Sequence, residues 1–272
     1  MTYVIKSSLT GSKGCPSSDQ SCNSRITLPG PAWSETPLEN PPNIFHVAPT
    51  PVPPSLDYNM WLGPAPEAPY QPERVHYQNP AFGWRLVEDY AGGMLTDWGT
   101  HMVDTAQWAN DTELSGPVEV RGQGHFLTGV YNTAHQFHLE YRYANGVQLV
   151  VETGGTALRC EGTDGWVAVP AWRKPLEASR RSILGSIIGP GETHLYTEPK
   201  REHRNFLDCV KSRRDPYFPV EKIHRLSSLL HLGNLCMKLG RRLRWDPVAE
   251  AFSDDVVANR LRTRAMRAPW HL

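Results

Sequence analysis

Three side chains able to do chemistry, and a tryptophan, recur at helical spacing in the stretch Gly92–Asn110, GGMLTDWGTHMVDTAQWAN. Asp97, His101, Asp104 and Trp108 stand at i, i+4, i+7 and i+11, so a helix carries them on one side. Trp98, Met102, Ala106 and Ala109 form an apolar stripe beside them that a neighbour can pack against. Imidazole titrates near neutrality. Set between two carboxylates on a rigid element, it is suited to taking and returning a proton. The same groups could offer two carboxylates and one imidazole to a metal ion, but no fourth ligand accompanies them. A buried helix with a capping Asp and a hydrogen-bonded histidine explains the same residues without any chemistry.

Other elements must hold this helix in place. Phe82–Tyr90 (FGWRLVEDY) leads into it. There Trp84 and Tyr90 offer apolar faces for a sugar, and Arg85 a cation for a hydroxyl or phosphate. Before it, Glu35 to Pro80 is a long irregular segment whose prolines restrict the backbone. Its aromatic residues, including Phe45, Tyr58, Trp61, Tyr70 and Tyr77, give it surface to bury, as expected of a strap bordering a pocket. Ile26–Trp33 reads as a strand ending at Pro-Gly-Pro, and residues 1–25 as a flexible tail.

Strands follow the helix. Val118–Phe126 reads as an edge strand. In His135–Tyr143, Phe137, Leu139, Tyr141 and Tyr143 alternate with Gln136, His138, Glu140 and Arg142. Asn145-Gly146 predicts a two-residue type I′ turn into a return strand through Val147, Leu149 and Val151. Ala157–Cys160 and Gly165–Val169 add two strands around a Thr163-Asp164-Gly165 turn. Arg173 to Pro199 reads as irregular, with a GPGE turn. Helices are then expected over Lys200–Ser212 and Val220–Leu239, the second ending at Gly240, and a wrapped tail over Trp245–Leu272. The fold class is α+β: a mostly antiparallel open sheet packed on helices, with long Pro-rich straps.

Composition narrows the function. The 272 residues carry 28 basic and 28 acidic side chains, which argues against a nucleic-acid footprint. No apolar run reaches membrane-spanning length and the start lacks a secretory core, so a cytoplasmic protein without a membrane partner is expected. The five cysteines show no disulfide or zinc spacing; Cys209 and Cys236 read as small core residues.

The Gly92–Asp104 stretch resembles the GG-x-L-x-D-x-G-x-H-x-x-D signature of the Gfo/Idh/MocA oxidoreductases, matching at Gly92, Gly93, Leu95, Asp97, Gly99, His101 and Asp104. LDYNMWLGPAPEAPYQPERVHY and GWRLVEDYAGG upstream look like the sugar-processing branch of that family, as do FLDCVKSRRDPYFPVEKIHR, LGRRLRWDPVAEAF and the closing MRAPWHL. The resemblance runs from about Leu28 to Leu272 and implies one C-terminal α+β domain over 26–272. It implies NAD(P)-dependent hydride transfer at a sugar or polyol hydroxyl, with His101 and Asp97 catalytic. Trp84, Arg85, Tyr90, Trp98, Asp104 and His224 would bind substrate. It also implies a homo-oligomer formed through the sheet.

The family's Gly-rich phosphate turn and Lys-Pro dipeptide have no counterpart in this sequence. Gly154-Gly155 follows a strand but precedes another strand, so no cofactor-binding residue is assigned. Neither Lys200 nor Lys222 is taken as a replacement for the missing lysine. The chain is therefore expected to be an oxidoreductase incomplete alone, either truncated or working with a separate nucleotide-binding chain. Two alternatives stay open: a non-catalytic carbohydrate-binding or oligomerisation module, and a cofactor-independent lyase or hydrolase.

Overall fold

The computed structural model describes residues 23–37, 47–76, 83–187 and 201–270. Most of the expected tail, Cys15, Cys22, Phe45, Tyr77 and the GPGE turn lie outside the described residues. The chain opens with β1 (Asn23–Leu28). Two short helices, α1 (Tyr58–Leu62) and α2 (Pro72–Val75), punctuate the Pro-rich segment, and a 3-10 turn (Trp84–Leu86) leads to α3 (Gly93–Ala109). Then come β2 (Glu119–Phe126), β3 (Ala134–Arg142), β4 (Gln148–Thr153), β5 (Leu158–Gly162), β6 (Gly165–Val169) and β7 (Glu177–Ala178). Helices α4 (Arg181–Leu184), α5 (Arg201–Ser212) and α6 (Val220–Leu239) precede β8 (Leu243–Asp246), β9 (Ala251–Phe252) and α7 (Val256–Arg260).

The nine strands form one open sheet in the order β7-β6-β5-β1-β4-β3-β2-β8-β9. Only β1 with β4 is parallel; the other pairs are antiparallel. The architecture is α+β, as the period-two pattern of β3 and the helical periods of α3 and α6 require. Phe137, Leu139 and Tyr141 of β3 are buried with Ile26, Leu28, Leu149 and Val151 beneath α3 and α6. On the opposite face, Arg25–Glu152–His138–Glu140–Arg121 is a continuous run of charge pairs across four strands.

Several expectations need correction. β1 starts at Asn23 and ends at Leu28, short of Trp33. β2 is an edge strand only in part, because Glu119 and Val120 pair with β8. The β3–β4 turn is not type I′. The Gly146 N–H donates to the Tyr143 carbonyl at 3.1 Å. Gly146 has a positive φ and Asn145 does not, which is the glycine-bulge form of hairpin. Segment 173–199 includes β7 and α4, and the presumed wrapped tail supplies β9 and α7. Cys209 is only partly buried, on α5, whereas Cys236 is in the core. Burial raises the thiols of Cys160 and Cys236 to about 11, which makes both poor nucleophiles.

Helix α5 is an exception to the packing. Its apolar stripe stays open, with Phe206 63%, Leu207 51% and Val210 47% exposed. Among the described residues no helix is long and apolar enough to cross a membrane.

Helix α6 approaches the sheet closely at Gly233. A Cβ there would lie 2.8 Å from Leu139 Cδ1 and 2.9 Å from Leu95 Cδ2, and would also strike the Tyr141 hydroxyl. Gly233→Ala is therefore expected to destabilise the fold by about 1–3 kcal/mol, the usual cost of overpacking. Urea denaturation measures it, and an unchanged midpoint would contradict the packing described.

Candidate active site

The site is built on the N-terminal half of α3, and glycines fix how the chain enters it. Gly93 has φ +72°, and a Cβ there would lie 2.7 Å from Thr133 Oγ1. The Gly92 carbonyl accepts from Asn234 Nδ2 of α6 at 3.0 Å, and the Gly92 N–H donates to Thr96 Oγ1 at 3.1 Å. Gly99 lets α6 come close, since a Cβ there would meet Leu230 Cδ2 at 2.9 Å. At the far end, Gln107 Nε2 donates to the Thr112 carbonyl at 3.2 Å, and Tyr143 OH donates to Gln107 Oε1. Both ends of α3 are therefore anchored to other elements through buried or half-buried polar contacts.

Between these anchors the helix presents its polar face. Arg85 Nη1 donates to Asp97 Oδ2 at 2.5 Å, a half-buried ion pair joining the 3-10 turn to α3. His101, one turn on, is exposed. The Trp172 ring, from the loop after β6, lies 5.3 Å from that of Trp98 at 78°. The His101 ring lies 6.2 Å from Trp98 and 6.1 Å from Trp172. An imidazole open to solvent thus stands beside a packed pair of indoles, one turn from a carboxylate that an arginine keeps in place.

Asp104 is mostly buried. Burial first, and then the charge of Glu113, push its pKa up, against the pull of Lys222 and His101. Lys222 Nζ donates to Glu113 Oε1 at 3.0 Å, so one cation serves two acids. Lys222 was set aside in the sequence; here it belongs to the charge cluster beneath the polar face of α3.

The structure gathers only part of the expected set. Asp97, Trp98, His101, Asp104 and Arg85 meet along α3. Trp84 starts the 3-10 turn and is largely exposed. Tyr90 turns to the strap instead: its hydroxyl accepts from Arg74 Nη1 at 3.2 Å and its ring lies 5.0 Å from Trp61. His224 Nε2 pairs with Glu250 Oε1 at 2.7 Å, and Arg225 joins the same carboxylate. Trp108 is buried in the core and not on the open face. Sequence reasoning missed Trp172 and Glu113, which no spacing relates to the helix. The only available signal was that an aromatic in the 171–173 loop had no core role.

Among the described residues, no group of three or more His, Cys, Asp or Glu side chains converges to hold a metal. Nor do the glycines fit a dinucleotide. The Gly154 and Gly155 N–H groups, which a phosphate would need, both donate to the Leu28 carbonyl, at 3.0 and 3.2 Å. No step through a nucleotide is assigned to these residues.

Residues 43–272 match the family profile described as "Oxidoreductase family, C-terminal alpha/beta domain". No curated protein matches the chain. Among solved structures, the chain is similar to the WlbA dehydrogenase from Bordetella pertussis in complex with NADH and UDP-GlcNAcA. The TM-score is 0.51 with 11% identity, covering 89% of this chain and 59% of that one. It is also similar to an NAD-binding protein from Listeria innocua, with TM-score 0.43 and 20% identity over 59% and 54% of the two chains. An aldose-aldose oxidoreductase from Caulobacter crescentus complexed with glycerol gives TM-score 0.46 and 18% identity over 63% and 52%. The aligned part thus spans little more than half the length of these structures.

The raised pKa of Asp104 makes a directional prediction. A carboxyl that holds its proton more tightly when folded weakens the fold as pH rises through its ordinary value of 3.8 and towards the folded value. Asp104→Asn removes that loss. Its stability relative to the parent chain is expected to rise as the pH climbs from about 3.8 towards the folded value and then to level off, read by urea denaturation at each pH. A relative stability that falls over that range would contradict the assignment.

Proposed function

The chain belongs to the Gfo/Idh/MocA oxidoreductase family through its C-terminal alpha/beta domain, and from that membership we propose that it is the substrate-side part of an NAD(P)-dependent dehydrogenase for a sugar or polyol hydroxyl. The observation that carries this reading is the exposed His101, set beside the packed Trp98–Trp172 pair and one turn from Asp97. Indole faces take the C–H surface of a sugar ring, and a hydroxyl brought over His101 can give its proton to the imidazole. Asp97, kept in place by Arg85, aligns a neighbouring hydroxyl. Asp104 supports the helix face from below, and Trp84 borders the same opening.

A nicotinamide supplies the hydride chemistry in this family. In this proposal the nucleotide is held by a unit other than residues 26–272, which form one α+β domain. The open stripe of Phe206, Leu207 and Val210 on α5 supports an adjoining unit, because a contiguous apolar surface of this kind is normally covered. The charged outer face of the sheet, partly crossed by the segment around Trp33, is the proposed face for pairing with a second copy.

Tryptophan fluorescence titrated with aldoses and polyols tests the reading. Binding is expected for at least one neutral sugar, and Trp172→Ala is expected to weaken it roughly tenfold, about 1.4 kcal/mol. His101→Asn should leave that affinity nearly unchanged, since the proton transfer it performs belongs to the reaction and not to binding. No sugar response, or a Trp172→Ala variant that binds as well as the parent, would overturn the site.

A further inference from the structure

An open cleft of about 500 Å³ lies between the Pro-rich segment and the β2–β3 loop. Its size suits a sugar-sized ligand. Val47, Ala48, Pro69 and Val130 make its walls largely apolar, and Gln71 and Arg74 are the polar groups that line it. Arg85, the arginine that the sequence suggested for an anion, is committed to Asp97; Arg74 is not committed to any acid. Among the described residues Arg74 makes no ion pair. Its Nη1 donates to the Tyr90 hydroxyl and its Nη2 to Gln71 Oε1, both at 3.2 Å and both neutral acceptors. Its Nε is buried without a hydrogen-bond partner. A guanidinium has five N–H groups, and a half-buried one without a counter-charge is costly to hold. The neighbouring Glu73 forms no ion pair with Arg74, and its own Oε2 is buried without a hydrogen-bond partner.

The cation is also held rigidly. The Arg74 guanidinium carbon lies 5.8 Å from the centre of the Tyr90 ring. Gln71 Nε2 donates to the Val47 carbonyl at 2.5 Å, and Tyr131 OH donates to the Glu73 carbonyl at 2.9 Å, tying α2 to both walls of the cavity. A preorganised fork with unused N–H groups, beside an apolar cavity of ligand size, is the arrangement that binds a planar or tetrahedral oxyanion well.

We propose that this cavity is an oxyanion site, in which Arg74 takes the carboxylate or phosphate group of a small ligand whose apolar side rests on Val47, Pro69 and Val130. The site does not depend on the redox reading of α3.

Calorimetry on the full chain at low ionic strength tests it, with inorganic phosphate, glucose 6-phosphate, glucuronate and glucose as probes. At least one of the three anions is expected to bind, and Arg74→Gln is expected to weaken that binding at least tenfold while leaving any glucose affinity unchanged. Stronger binding of glucuronate than of the two phosphates identifies the ligand group as a carboxylate, and the reverse identifies a phosphate. Because Arg74→Gln could loosen the strap, Ala48→Phe supplies an independent test. It fills the cavity from an exposed rim position, leaves Arg74 in place, and is expected to abolish anion binding with an unchanged melting temperature. Absence of binding by all three anions, or anion affinity retained in either variant, would overturn the site. Failure of neutral sugars at Trp172 would leave it standing.

Discussion

Helix α6 can approach α3 and the sheet closely only because glycines face it and stand within it. Gly233 sits where any side chain would strike Tyr141, Leu139 and Leu95, and Gly99 sits against Leu230. That approach brings Asn234 to the Gly92 carbonyl and so fixes where α3 begins. The direction in which Asp97 and His101 project follows from it. The glycine pair before α3 is a second consequence: the chain turns into the helix through a positive φ at Gly93, with Thr133 close behind. A displaced α6 would disturb the polar face of α3 before any polar residue was altered.

Electrostatics divides the charged groups into two kinds. Many are paired: Asp97 with Arg85, Glu113 with Lys222, and several on the outer sheet face. The informative ones are those left over. Asp104 shares Lys222 with Glu113 and stays mostly buried, while Arg74 faces a cavity with only neutral acceptors. Exposed pairs on the outer sheet face contribute little stability individually. Their regularity instead defines a polar face that suits contact with another surface more than it suits a core.

Much of this was legible in the sequence. The alternation from Phe137 to Tyr141 gave β3 its inner and outer faces, the 3.6-residue period gave α3 and α6, and Gly240 marked the end of α6 in the left-handed conformation. The motif placed Asp97, His101 and Asp104 on one helix correctly. What could not be read were contacts made across the fold. Tyr90 and His224 are near the site in sequence or in family pattern, and the partners that hold them, Arg74 and Glu250, come from distant parts of the chain. Trp172 arrives beside His101 only because the loop after β6 turns back over α3. The Asn145-Gly146 turn took a different form because the positive φ falls on Gly146 alone.

Membership of the oxidoreductase family is a statement about ancestry, and the roles proposed for this chain lie on its substrate side. The roles proposed for His101, Trp172 and Arg74 are all roles toward a small ligand. The glycine amides nearest in pattern to a phosphate turn are used by Leu28. Titration of the purified chain with NADH and NADPH, followed by nicotinamide fluorescence, tests this division most directly. The account predicts no saturable change up to about 1 mM cofactor, a dissociation constant corresponding to about 4 kcal/mol. Saturable binding below that concentration would contradict it, because a nucleotide site would then exist within this chain.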